Sequence, residues 1–136
     1  MEKLGDFMNK DEIVKKIIEI TGAKIIIADA KKHDLAVALI SHMPLLISQA
    51  LFKTAMNNQL ALQLASSGFR DMTRLAMSNP IMANDMMHYN KENIENCLEM
   101  LRDSIDFLQN SKYIENITDI KNIRSSMYSS EGKNIF

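Results

Sequence analysis

The chain contains little cysteine, glycine or proline and no tryptophan, and these shortages exclude several kinds of site. Its single cysteine, Cys97, excludes an internal disulfide and a Cys-x-x-Cys metal or redox pair, which fits a reducing, cytoplasmic setting. The four glycines lie too far apart for a glycine-rich phosphate loop, and the three histidines are too far apart for a zinc-binding helix. Because 16 basic residues are balanced by 17 acidic ones, no broad basic field supports general nucleic-acid binding.

The 136 residues suit one compact domain, or one domain with a fragment of another, and an apolar content of 46% suffices for a core. Residues 10–21 predict a helix that ends at Gly22, and residues 24–28 predict a short, buried strand. We therefore expect a mainly α fold that begins with the trailing helix and strand of an α/β nucleotide-binding domain. The alternative is a small two-layer cap on a helical domain.

A long apolar segment follows at residues 35–52, where no side chain carries a formal charge. It is apolar nearly all round, which predicts a helix buried on every side and ending at residues 66–68. Several polar side chains and a proline interrupt the segment, so we expect no membrane span. We assign its surplus apolar surface to the interface of a homodimer. Pro44 predicts a kink near Ser41 and His42.

Beyond residue 78 the sequence predicts three further helices. Asn79 and Pro80 form an N-cap and first-turn pair for a helix over residues 80–88, and Asn90 is a suitable cap for the next helix. A last helix is expected at about residues 112–128. The expected domains are the nucleotide-binding remnant at residues 1–30, a helical domain at 31–128 and a flexible tail at 129–136.

Two groups of polar residues are candidates for chemistry. Arg70 and Arg74 would stack on one face of a short helix opening from Ser-Ser-Gly, with Asp71 holding Arg74, and would form a site for a carboxylate. The alternative is a surface salt-bridge cluster. Ser41 and His42 beside the proline form the second candidate, with a satisfied core histidine as the alternative. We expect no metal site and no nucleophilic catalysis by Ser41, because no carboxylate adjoins it in sequence.

Four motifs in this order resemble the prephenate dehydrogenase family. They are His33-Asp34, Ser41-His42-x-Pro44, Gly68-Phe69-Arg70-Asp71-x-Thr73-Arg74 and Asn79-Pro80. The likeness covers roughly residues 12–109. It implies the family's C-terminal helical dimerisation domain, of the 6-phosphogluconate-dehydrogenase C-terminal-like type, preceded by the end of its Rossmann domain.

The resemblance implies the substrate-binding and dimerisation part of an enzyme that uses NAD or NADP. The family converts prephenate to 4-hydroxyphenylpyruvate with loss of CO₂ in tyrosine biosynthesis, and some members take arogenate. The match implies that Arg74 binds a substrate carboxylate, that Arg70 and Asp71 support it, and that Ser41 and His42 face the pocket. Since the dinucleotide-binding domain is missing from this chain, we expect the chain alone to be inactive. The alternative function is a non-catalytic homodimerisation or tyrosine-binding regulatory module.

The sequence also departs from the family pattern at two positions. Leu45 stands where the family often has a second histidine, and Ala83 stands where an aromatic residue is common. Both positions bear on the shape of the substrate pocket.

Overall fold

A computed structural model describes residues 9–110 and 112–127, and this part of the chain is helical without any β-strand. The chain divides between His33 and Asp34 into two compact units. The α-helices are α1 (Lys10–Ile20), α2 (Ala30–Val37), α3 (Met43–Ala55), α4 (Gln59–Gln63), α5 (Ser67–Met72), α6 (Pro80–Tyr89), α7 (Lys91–Asn110) and α8 (Tyr113–Met127).

Helix α1 lies in the first unit and ends as the sequence predicts. The side chain of Asn9 accepts the backbone N–H of Asp11, which satisfies one donor of the first turn. At the other end, Gly22 has a φ of 73°, and its N–H donates to the carbonyl of Glu19. Glycine adopts this left-handed conformation without the steric cost that a Cβ brings. The predicted helix and its glycine stop are confirmed.

The strand predicted at residues 24–28 is wrong, because residues 23–29 form no regular structure. The predicted burial is also absent, since Ile26 is 74% exposed and Ile27 is 82% exposed. A strand needs a neighbouring strand to satisfy its N–H and C=O groups, and the described residues contain none. The assignment of residues 1–30 to a nucleotide-binding domain remains a prediction.

Helices α2 and α3 are joined by a π-helical turn, Ala38–His42, into one helix that runs from Ala30 to Ala55. In this turn the N–H of Met43 donates to the carbonyl of Ala38, five residues back. Pro44 follows directly and cannot donate a backbone hydrogen bond. The sequence predicts a kink at Ser41 and His42, and the structure places the irregular turn at these residues.

The predicted end of this helix at residues 66–68 is wrong, since α3 stops at Ala55. The side chain of Asn58 accepts the N–H of Ala61 at 3.0 Å and starts the separate helix α4. Asparagine competes with the helical backbone for hydrogen bonds, so the Asn57-Asn58 pair breaks a segment that is otherwise suited to helix.

The Ala30–Ala55 helix is only partly covered by its own chain. In its most apolar 18-residue window 17% of the residues are buried within one copy, and the sequence predicts that the remaining apolar surface is covered in a subunit interface. By length and composition alone the helix could cross a membrane, although a single such helix is a weak indication. Its inner face joins the core of the second unit, in which Ala38 packs with Ile94 and Cys97.

The helices predicted in the second half are confirmed. The side chain of Asn79 accepts the N–H groups of Ile81 at 2.9 Å and Met82 at 3.3 Å, and Pro80 opens α6. Helices α7 and α8 follow, with the inner face of α7 buried at Ile94 and Cys97. The predicted tail at residues 129–136 lies outside the described residues.

Candidate functional site

The predicted arginine pair lies at a break between two short helical elements. Helix α5 ends at Met72, and a 3-10 turn begins at Arg74. Between them Thr73 is buried, and its hydroxyl donates to the carbonyl of Phe69 at 2.7 Å. Arg70 therefore lies in the last turn of α5 and Arg74 in the next element. The prediction that both arginines share a helix face near its N-terminus is wrong.

The two arginines nevertheless border one cleft. The rings of Phe52 on α3 and Phe69 on α5 stack with their centroids 6.0 Å apart, next to the 3-10 turn that packs on α3. The cleft beside them has a volume of about 240 Å³. Its lining residues are Phe52, Arg70, Thr73, Arg74, Ala76 and Met77.

Arg74 also borders a second cleft, with a volume of about 320 Å³, and there it meets Ser41. The structure thus brings together Ser41 from the π turn and Arg74 from the 3-10 turn, although 33 positions separate them in the sequence. Apolar side chains make up most of the wall of this second cleft. The cleft is lined by Ile40, Ser41, Leu45, Arg74, Leu75, Ser78, Met82 and Met86.

The charges around the arginines differ from the prediction. Asp71 pairs with Arg70, Nε to Oδ1 at 3.4 Å, and not with Arg74. Both side chains of this pair are more than two-thirds exposed, at 78% and 72%, so the pair contributes at most about 1 kcal/mol. Within the described residues Arg74 has no ion-pair partner. Of the two arginines at this cleft, Arg74 is therefore the one without a carboxylate partner among the described residues.

His42 lies in a polar cluster and lines neither of these two clefts. The ring is half-buried, and its Nδ1 is 3.1 Å from Nδ2 of Asn90. The same amide nitrogen donates to the carbonyl of Asp34 at 2.7 Å. Asn90 stands directly before α7 and its carbonyl accepts the N–H of Ile94, as expected of a capping residue, while its amide nitrogen reaches across to the Ala30–Ala55 helix. No local pattern signals this contact, since the partners are 48 and 56 residues apart.

The described residues do not fit a metal or the phosphates of a dinucleotide. They contain no group of three or more histidine, cysteine or carboxylate side chains that could hold a metal ion. The two glycines in the described ranges, Gly22 and Gly68, stand alone and form no phosphate-binding loop.

These features define a helical domain with apolar helix surface that its own chain leaves partly uncovered, and with an arginine, Arg74, that borders two clefts. The chain belongs to the prephenate dehydrogenase family, since residues 29–127 match the family model described as "Prephenate dehydrogenase, dimerization domain". The resemblance seen in the sequence motifs is thereby confirmed.

Relatives and solved structures agree with this assignment. A prephenate dehydrogenase of Bacillus subtilis is 27% identical over 129 residues, which are 92% of this chain and 31% of that protein. The arogenate dehydrogenase of Synechocystis is similar with a TM-score of 0.65 and 27% identity, over 96% of this chain and 50% of that one. The prephenate dehydrogenase of A. aeolicus was solved with hydroxyphenyl propionate and NAD+. It is similar with a TM-score of 0.77 and 25% identity, over 92% of this chain and 48% of that one. The chain thus spans no more than half the length of each.

Proposed function

We propose that this chain is the substrate-binding and dimerisation part of an NAD(P)-dependent prephenate dehydrogenase. The observation that carries the proposal is Arg74, a cation without an ion-pair partner in the described ranges, placed between two largely apolar clefts. Prephenate is a small, acidic ring compound. An apolar wall suits its ring, and a guanidinium group suits its carboxylates. The A. aeolicus relative was solved with hydroxyphenyl propionate, an acid that likewise carries a six-membered ring.

The residues of the proposed site have different parts in binding. Arg74 anchors a carboxylate, and Arg70 supplies a second cation at the same cleft while Asp71 restrains it. Ser41 offers a hydroxyl to the second cleft, and His42 provides a polar group on the neighbouring turn. None of these residues is assigned a catalytic role.

The cofactor of the whole enzyme, NAD or NADP, would be bound mainly by a domain that this chain does not contain. Two observations support this division: the described residues provide no phosphate-binding loop, and the chain covers 31% of the length of the Bacillus subtilis relative. We therefore expect this chain alone to be inactive. Mixing it with a separately expressed Rossmann domain of the family and measuring NAD(P)H formation from prephenate tests whether it supplies the missing half.

The partner proposed for this chain is a second copy of itself in the cytoplasm, without a nucleic-acid or membrane partner. The dimerisation-domain family supports this, as does the large share of the Ala30–Ala55 helix that its own chain leaves uncovered. A bilayer is not needed to account for this surface, because helix packing between subunits buries apolar area equally well.

Calorimetric titration of the chain with prephenate, arogenate and tyrosine tests the ligand. Heat of binding from prephenate or arogenate supports the substrate-binding proposal and selects between the two acids. Binding of tyrosine alone would favour a regulatory module. A well-folded chain that binds none of the three would contradict the proposal and leave a purely structural dimerisation module, which the uncovered apolar surface favours as the second candidate.

A further inference from the structure

The side-chain amide of Asn90 has a fixed orientation, because hydrogen bonds hold both of its ends. The atom 2.7 Å from the carbonyl of Asp34 must be the amide nitrogen, since a backbone carbonyl only accepts. At the other end the carbonyl oxygen of Asn90 accepts from Nδ2 of Asn93, also at 2.7 Å. Rotation of the amide by 180° would place two acceptors together at Asp34 and two donors together at Asn93.

This orientation determines which nitrogen of His42 carries the proton in the neutral ring. The amide nitrogen of Asn90 has a second hydrogen, and Nδ1 of His42 lies 3.1 Å from that nitrogen. Nδ1 can accept this hydrogen only when it is unprotonated, so the ring proton lies on Nε2. The other tautomer would set two N–H donors against each other at this distance.

We propose that Asn90 is a positioning residue that holds His42 in the Nε2–H tautomer and so makes its ring a hydrogen-bond donor toward an acidic substrate. The π turn that ends at His42 also carries Ser41, which shares a cleft with Arg74. Carboxylate and carbonyl oxygens accept hydrogen bonds, so they pair with an Nε2–H group and not with a bare Nε2 lone pair. The ligand part of this inference rests on the proposed function, whereas the tautomer part does not.

The tautomer is measured by NMR of the ring nitrogens in the full ¹⁵N-labelled chain. We expect Nε2 of His42 to be protonated in the unaltered chain and the two tautomers to be mixed in Asn90→Ala. Asn90→Asp, which keeps the size of the side chain, is expected to favour Nδ1–H because a carboxylate accepts from it. Asn96→Ala changes an exposed asparagine on α7, the helix that follows Asn90, and leaves the tautomer unchanged as the control. An Nδ1–H ring in the unaltered chain, or an unchanged ring in both Asn90 variants, overturns the inference.

Calorimetric titration with prephenate tests the ligand part on the same variants. We expect Asn90→Ala to weaken binding by about threefold to tenfold, the effect of losing one oriented hydrogen bond. If the tautomer changes and the affinity does not, the role of Asn90 in substrate binding is overturned while the proposed function stands. If Arg74→Ala also leaves the affinity unchanged, it is the proposed function that fails.

Discussion

At the scale of single residues, Arg74 distinguishes the candidate site from an ordinary surface cluster. Arg70 has the carboxylate of Asp71 beside it, 3.4 Å away, as a weak and exposed ion-pair partner. Arg74 borders the same cleft and a second one without an ion-pair partner among the residues described. A ligand carboxylate at Arg74 therefore gains a charge-assisted hydrogen bond without first displacing an internal carboxylate.

Ser48 gives a prediction that concerns stability. It is 2% exposed on α3, and its hydroxyl has no hydrogen-bond partner within the described part of the chain. Because an unsatisfied buried hydroxyl costs about 1–3 kcal/mol, we expect Ser48→Ala to raise the free energy of unfolding by about 1 kcal/mol. Urea unfolding at a fixed protein concentration measures it. Ser104→Ala, which alters an exposed serine, is the control, and a loss of stability in Ser48→Ala would show that the hydroxyl has a partner in the assembled protein.

The residue types of the site can be predicted from the sequence, whereas their pairings cannot. Arg70 and Arg74 border one cleft without sharing a helix face, and Asp71 pairs with the arginine next to it because the helix breaks at Thr73. The contact of Asn90 with His42 joins residues 48 positions apart, so no local spacing contains it. Pairings of this kind depend on how helices pack, which only the folded chain determines.

At the scale of helices, the sequence predicts best where single residues begin or end a helix. Gly22 ends α1, and Asn79 with Pro80 begins α6, because each acts on backbone groups within a few positions. The strand at residues 24–28 is the opposite case, since strand structure requires a partner far away in the sequence. The early end of α3 shows that a pair of asparagines can outweigh an apolar pattern that continues beyond it.

The cap of α6 provides a prediction at this scale. The side chain of Asn79 accepts two backbone N–H groups that have no partner in the helix itself. We expect Asn79→Ala to lower the free energy of unfolding by about 1 kcal/mol, measured by urea or thermal unfolding. Asn84→Ala, at an exposed position inside the same helix, is the matched control and should be neutral or slightly stabilising because alanine favours helix. Equal effects of the two changes would contradict the assigned cap.

At the scale of the whole molecule, the uncovered apolar surface of the Ala30–Ala55 helix is the main feature. A chain of this size cannot wrap a long apolar helix on all sides, which is why the burial predicted from the sequence is incomplete in one copy. Burial of apolar area contributes about 25 cal/mol per Å², so this surface favours association. The match to a dimerisation domain agrees with a second copy as the covering partner.

Sedimentation of the chain at micromolar concentration tests this assembly. We expect a stable dimer. We expect Leu51→Asp to dissociate it, because Leu51 is an apolar residue 37% exposed on α3. An aspartate at this position would bury a charge in the interface. Lys53→Ala on the same helix serves as the control and should remain dimeric. A stable monomer for the unaltered chain would count decisively against the proposed homodimer.

The central claim is that Arg74 binds a carboxylate of the substrate, and calorimetric titration with prephenate of Arg74→Ala against the unaltered chain tests it most directly. Arg102→Ala, which removes an arginine from the exposed face of α7, is the matched control. We predict that the loss of the charge-assisted bond weakens binding by about 10- to 100-fold in Arg74→Ala and leaves the control unchanged. Equal affinity of the Arg74→Ala variant and the unaltered chain would contradict the account.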